Sequence, residues 1–231
     1  MPAPLDPPDT PSPLRALARH DPPRRALAAL HRQAGDGTLV HGPAGHALAP
    51  AALVASATRS CRAGAVGDRV GAGERELTTP LLARLGLAAV HSTAVRSAAV
   101  APPGTGRSWE TSLLWVRLGM TERLLDAVTV HLGERSFGDA RLSRHPVLKD
   151  ALADAVVALL QVEARLHDAG TTGLDDTALR LLHDELGGTG RSLLDLLGAY
   201  GLTEDGPGAD AYVCALLADL YAPAEPSGET P

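Results

Sequence analysis

Leu194-Asp195-Leu196-Leu197-Gly198-Ala199-Tyr200-Gly201-Leu202-Thr203-Glu204-Asp205 is the stretch whose reading decides the fold. A helical run leads into it, and a second run, Asp210 to Tyr221, leads out. Helix, glycine-bearing turn and helix in succession read as two neighbours joined by a short connection, the unit of an antiparallel bundle.

Two longer helices are expected upstream. Ser108 is placed to cap one that runs to about Leu132, and Gly133 to close it. Its apolar positions Leu113, Val116, Met120, Leu124, Val128 and Leu132 recur every three or four residues. At ~1.5 Å per residue this helix is ~35 Å long. Pro146 opens the next at its first position, and the run extends to about His167, ending before Gly170. Leu148, Leu152, Val156, Leu159 and Leu166 form its stripe. A third helix follows Thr171-Thr172-Gly173, is interrupted around Gly187, Gly188 and Gly190, and resumes to Leu197. Residues 104–222 therefore read as an antiparallel four-helix bundle, and the fold class as mainly α.

The front half has a different character. Residues 1–13 are rich in Pro, Asp and Thr and read as a disordered tail, as do residues 223–231. Leu14 to His20 suits a short helix. Asp21 is a candidate N-cap for another over Arg24 to Gln33, with Pro22 and Pro23 in its first turn and Gly35 beyond its end. From Thr38 to Ala101 glycine and proline recur between short apolar runs. Strands are expected at Thr38–His41, Leu53–Thr58, Ala88–Val95 and Ala98–Ala101, in one small antiparallel sheet. Residues 14–103 thus form short helices plus a reduced β-domain.

Composition narrows the function. Of 231 residues 45% are apolar but only 3% aromatic, so the core is built from Leu, Val and Ala, which suits helices. A net charge of −6 argues against nucleic acid as a partner. Cys61 and Cys214 form no disulfide framework, and no apolar run approaches the ~20 residues that span a bilayer. The expectation is a soluble, reduced, cytoplasmic protein without a membrane partner.

Three segments, in order and spacing, resemble the C-terminal half of the acyl-CoA dehydrogenase family. Gly106-Arg107-Ser108-Trp109-Glu110, leading into Val116-Arg117-Leu118-Gly119-Met120, is similar to the family's loop and first bundle helix. Gly133-Glu134-Arg135-Ser136-Phe137-Gly138, followed by Leu152-Ala153-Asp154, is similar to its Arg-x-x-Phe-Gly turn and next helix. The stretch quoted at the outset resembles its Gln-x-x-Gly-Gly-x-Gly-x-Thr-Glu loop. The resemblance covers roughly Arg107 to Tyr221. It implies that the family's N-terminal helical domain is largely missing and that the segment before the bundle is a shortened β-domain.

The resemblance also implies sites. In the family an arginine three residues before Phe-Gly meets the flavin diphosphate across a subunit interface. Glu134 holds that position here, with Arg135 one place later, rotated by ~100° on a helix end. Arg135 either reaches a phosphate through a shifted turn or is a solvated side chain. Arg135, Phe137, Gly198, Tyr200 and Gly201 are the candidate cofactor-binding residues, for FAD shared with a partner subunit. The family's polar ligands are otherwise replaced: Asp195 stands for a glutamine, Pro146 for another, Ala199 for a glycine, and Val213-Cys214 for an Arg-Asp pair. A catalytic carboxylate usually follows the tyrosine that ends the last helix, but Ala222 follows Tyr221. Some members place it near the start of the first bundle helix, and Glu110 falls there. Glu110 is either that base or a first-turn acid favoured by the helix dipole.

Other motifs carry less. His41 and His46 lack the further ligands a metal needs. Gly64, Gly67, Gly71 and Gly73 lack the Lys-Ser/Thr of a phosphate loop. Three functions are consistent with the sequence. One is a small subunit of a heteromeric flavin-dependent dehydrogenase acting on acyl-CoA or a carrier-bound acyl thioester, partnered by a full-length chain. Another is a non-flavin scaffold homologue forming a homodimer. The third is a non-redox enzyme on an acyl thioester using Glu110 or a histidine.

Overall fold

A computed structural model describes residues 12–71, 73–93, 105–137, 140–203 and 206–223. Among them the order of elements is α1 (Pro13–His20), α2 (Pro23–Arg32), β1 (Thr38–His41), β2 (His46–Pro50), α3 (Ala51–Ser56), β3 (Arg59–Arg62), β4 (Ala65–Asp68), β5 (Glu74–Glu76), α4 (Pro80–Arg84), β6 (Leu87–Ser92), α5 (Thr105–Glu134), the paired β7 (Ser136–Phe137) and β8 (Ala140–Arg141), α6 (Pro146–Thr172), α7 (Asp176–Leu197), a 3₁₀ turn (Gly198–Leu202) and α8 (Gly208–Tyr221). The expected strand at Ala98–Ala101, the end of the one at Ala88–Val95, and residues 1–11 and 224–231 of the two tails lie outside the described residues.

The mainly α, four-helix architecture is present. Helix α5 packs against α6, α7 and α8, and α7 against α6 and α8. Leu114, Leu118, Val162, Leu166, Leu182 and Leu186 fill one layer between them, and Leu124, Val128, Leu132, Leu193 and Leu197 the next. Between Leu113 and Met120 α5 is buried nearly all round, and there every residue but Arg117 and Gly119 is a large apolar one. Its Leu113, Val116 and Met120 face a second core shared with α1, α2, α4, β2, β6 and α8. Gly119 permits that packing: a Cβ there would lie 2.9 Å from the Cβ of Ala18 and closer still to the Arg15 carbonyl oxygen. Arg15 then reaches Glu122 and Glu163, and Arg19 pairs with Asp126 at 2.9 Å.

Several expectations are corrected. Helix α7 is unbroken through Gly187, Gly188 and Gly190. Each glycine costs about 1 kcal/mol. The burial of Leu179, Leu182, Leu186, Leu193 and Leu197, at ~1.5–3 kcal/mol each, outweighs that cost. Asp175 starts the helix properly, accepting the Ala178 N–H at 2.7 Å. Helix α6 runs through Gly170 and stops at Gly173, whose φ of 75° breaks the helical path. Gly133 lies inside α5 and does not close it. Asp21 does not cap α2; it accepts a hydrogen bond from Arg25 at 2.6 Å. The expected strand at Leu53–Thr58 is the helix α3, as its alanines prefer.

The single antiparallel sheet is instead two three-stranded sheets. One has the order β1-β3-β4 with β1 parallel to β3; the other has the order β2-β6-β5 and is antiparallel. Consecutive strands β1 and β2 do not pair because two side chains occupy the gap between their edges. His31 accepts the Val40 N–H at 3.2 Å and donates to the Leu48 carbonyl at 3.0 Å. The Tyr221 hydroxyl accepts the Leu48 N–H at 2.9 Å and donates to the Val40 carbonyl at 3.2 Å. Helices α2 and α8 are thereby tied to both sheets, and no edge group of Val40 or Leu48 is left without a partner.

Candidate functional site

The stitching of β1 to β2 leaves a cavity of about 340 Å³ beside it. Its walls come from the start of α5 (Ser108, Trp109, Glu110), the end of α8 (Tyr221), the end of α2 (Gln33, Ala34), the β1–β2 turn (Val40 to Pro43) and the β3–β4 turn (Cys61 to Val66). The volume is near the lower end of the ~300–1,000 Å³ typical of small-molecule sites. It suits an acyl chain or a single ring system, not a dinucleotide.

The site is stiff. Trp109 packs on Tyr221, with ring centroids 4.9 Å apart, and on His31 at 6.1 Å. His31 and Tyr221 are each held at their polar atoms by backbone, so the indole is fixed by two immobile rings. Burial pushes the His31 imidazole down to about 4, the Leu48 carbonyl offsetting this only in part. Its Nδ1 accepts an N–H, so Nε2 carries the proton in the neutral ring. Burial also raises the Tyr221 hydroxyl and the Cys61 thiol above their ordinary values. Cys61 is therefore a poor nucleophile. Burial lowers His41, with Glu74 opposing and Arg69 reinforcing the effect. Among the described residues both ring nitrogens of His41 are buried without a hydrogen-bond partner of good geometry.

Glu110 is the only carboxylate among the described residues that line the cavity. It shares the cavity with Tyr221, so the start of the first bundle helix and the end of the last meet in one place. Those are the two positions to which the sequence resemblance assigned a base. The sequence does not single out Trp109 and Cys61, which line the cavity, or His31, which braces Trp109 from behind: an isolated cysteine gives no signal of a cavity wall, and a histidine within a helix none of such a brace.

The residues proposed for the cofactor lie elsewhere. Arg135 and Tyr200 meet at the far end of α5, through His131: the imidazole stacks on the phenol ring at 4.3 Å with 2° between planes, and Arg135 Nη1 is 3.4 Å from His131 Nε2. Glu110 and His131 are both on α5, roughly 30 Å apart at ~1.5 Å per residue. Gly198 ends α7 with φ of 54°. Gly201 is buried: an added Cβ would lie 3.2 Å from Leu197 Cβ, and the Gly201 carbonyl abuts Gly208. The side chain of Phe137 lies outside the described residues.

An FAD diphosphate does not fit this end of the chain as it stands. The exposed cations Arg135 and Arg141, brought together by the β7–β8 pair, are accompanied by the exposed acids Glu134 and Asp195, at the carbonyl-bearing, negative ends of α5 and α7. The small residue Gly201 serves internal packing, and no cradle of backbone N–H groups is formed there by the described residues. The cavity at the opposite end is too small for the dinucleotide.

No protein-family model and no curated protein matches the sequence. Solved structures do match in fold. A FAD-dependent dehydrogenase superposes with a TM-score of 0.58 at 14% identity, covering 90% of this chain and 79% of that one. The Tcur3481-Tcur3483 steroid ACAD variant gives 0.57 at 17% identity, covering 78% and 57%. The ChsE4-ChsE5 complex of Mycobacterium tuberculosis gives 0.50 at 14% identity, covering 71% and 51%. The chain thus has the fold of the acyl-CoA dehydrogenases at partial length, spanning little more than half of the last two. Among the described residues no helix is long and apolar enough to cross a membrane.

Proposed function

We propose that this chain is a small subunit of a heteromeric flavin-dependent dehydrogenase acting on an acyl thioester, in which a full-length acyl-CoA dehydrogenase-like partner holds the flavin. One observation carries the reading. The cavity with Glu110 and the Arg135–His131–Tyr200 cluster sit at opposite ends of one helix, so neither end completes a site without another chain. Fold likeness to a complex of two named components, ChsE4-ChsE5, is in keeping with a partner. So is the surface around the cluster: Tyr200, Leu202 and Tyr212 are exposed, and aromatic residues with arginine are the usual anchors of interfaces. In this reading the redox half of the reaction belongs to the partner. Glu110 supplies a carboxylate in a largely apolar cavity, where it can take a proton from the carbon next to the thioester carbonyl.

The test is co-expression with a full-length dehydrogenase encoded beside this chain. The expected result is a stable complex absorbing near ~450 nm, with this chain colourless when purified alone. A colourless complex, or no complex, sinks the proposal. A second reading has its own observation: the cavity gathers Glu110 and His41 within this one chain. A non-redox enzyme on an acyl thioester would show turnover without any partner, and that assay separates the two.

A further inference from the structure

Strand register brings three basic side chains into one row across the β2-β6-β5 sheet. His46 lies opposite His91, and His91 lies opposite Arg75. Residues directly opposite one another in a sheet share a face. Glu74 and Glu76 alternate to the other face, so the row contains no acid. The two imidazoles lie 4.5 Å apart between centroids, tilted by 36°. Arg75 is exposed and the histidines are half-buried. None of the three side chains has a hydrogen bond or ion pair among the described residues. Like charges set side by side across strands destabilise a sheet. A run of bases that no described residue neutralises attracts an anion.

The His46 end of the row follows the turn that lines the cavity. Gly42 and Pro43 line the cavity, and the Gly42 N–H donates to the His46 carbonyl at 2.7 Å. We propose that Arg75, His91 and His46 form a binding site for a phosphate group, and that this phosphate is carried by the same ligand whose apolar part enters that cavity. The guanidinium offers a two-pronged contact to phosphate oxygens, and each protonated imidazole adds a donor. The first half of the proposal rests on register alone; the second rests on the acyl-thioester reading above.

The site is sensitive to pH. His46 is held below its ordinary value by burial and then by His91. The charged or titratable groups facing it are His91 from β6 and, beyond that, Arg75 from β5. The helices packed on β2 present His31 and Tyr221, both at Leu48 and both neutral. Among the described residues no acid keeps His46 charged, so an anion and the proton favour each other's binding. Occupancy rises as pH falls through the imidazole range and is lost above it.

The experiment is isothermal titration of the chain alone with inorganic pyrophosphate, at about pH 5.5 and about pH 8 in low salt. Binding is expected at the lower pH and about tenfold weaker at the higher. Arg75→Ala and His91→Gln should each weaken binding about tenfold, with Arg180→Ala on α7 unchanged. All these positions are exposed or half-buried, so the variants fold. Absence of binding at the lower pH, or binding untouched by Arg75→Ala, overturns the site. A second titration compares a short acyl thioester carrying a phosphate-terminated tail with the same thioester lacking the phosphate. The tail should tighten binding at least about tenfold in the parent and not in Arg75→Ala. Equal affinities overturn the shared-ligand half while leaving the pyrophosphate result intact. Neither titration involves a partner or a chromophore, so failure here is distinct from failure of the proposed function.

Discussion

Gly119→Ala should destabilise the protein, although the same change usually strengthens a helix. Within an unobstructed helix, alanine for glycine gains about 1 kcal/mol. Gly119, however, is where α1 rests on α5, and its added Cβ would lie 2.9 Å from Ala18 Cβ and nearer still to the Arg15 carbonyl. Backbone cannot swing away as a flexible side chain can, so α1 must lift. Overpacking of this kind costs ~1–3 kcal/mol. Lifting α1 also returns Leu14, 7% exposed in the folded chain, toward water, at up to ~1.5–3 kcal/mol. The ion pairs of Arg15 and Arg19 are partly solvated and add little. After the propensity gain, the net loss is ~2–4 kcal/mol. Gly190→Ala is the matched control, because open space surrounds that position in α7 and only the propensity gain applies. Urea unfolding of both variants should move the midpoints in opposite directions, with thermal midpoints shifting ~2–4 °C per kcal/mol. If Gly119→Ala proves as stable as Gly190→Ala, α1 does not lie on α5 as described.

Tyr221→Phe strips a hydrogen-bond partner from the buried Leu48 N–H and Val40 carbonyl and should cost ~2–3 kcal/mol in urea unfolding. A loss under ~0.5 kcal/mol would show that this hydroxyl does not stitch the two sheets. Acid should weaken the fold through His31 and His183, whose folded values are pushed down to about 4 and about 3 by burial, the second also by Arg117. Their unfolded values are near ~6.5, so in the window below that the unfolded chain binds protons the folded chain refuses. Stability is then full above ~6.5 and falls as pH drops, by up to ~1.4 kcal/mol per unit for each ring. Thermal midpoints measured across this window should decline toward acid, and His31→Gln should flatten the slope; a midpoint independent of pH contradicts the buried neutral rings.

The bundle was legible because its signals are local and repeated. Leucines spaced by three and four, Pro146 at a helix start and the Gly198 turn each name the same element from different physics. The glycines of α7 misled for the opposite reason. Their cost is local, while the leucine burial that outweighs it is tertiary. The β portion was harder still. Leu53–Thr58 is as compatible with a short helix as with a strand, and alanine content decides only once its neighbours are known. Nothing in sequence spacing indicates that His31 and Tyr221, from helices far apart in the chain, separate β1 from β2 and so divide one sheet into two. For the candidate site, the sequence offers Glu110 only through the family resemblance; α5 begins at Thr105, so Glu110 is not the first-turn acid of the alternative reading. The row of Arg75, His91 and His46 was not legible, because it exists only through strand register.

The most direct measurement of the central claim is anaerobic addition of an acyl thioester to the co-purified complex while the band near ~450 nm is followed. The account expects the parent complex to bleach as substrate is oxidised, and the complex carrying Glu110→Gln in this chain to keep its colour while binding flavin and partner equally well. Unimpaired bleaching with Glu110→Gln would show that this chain's cavity takes no part in the chemistry.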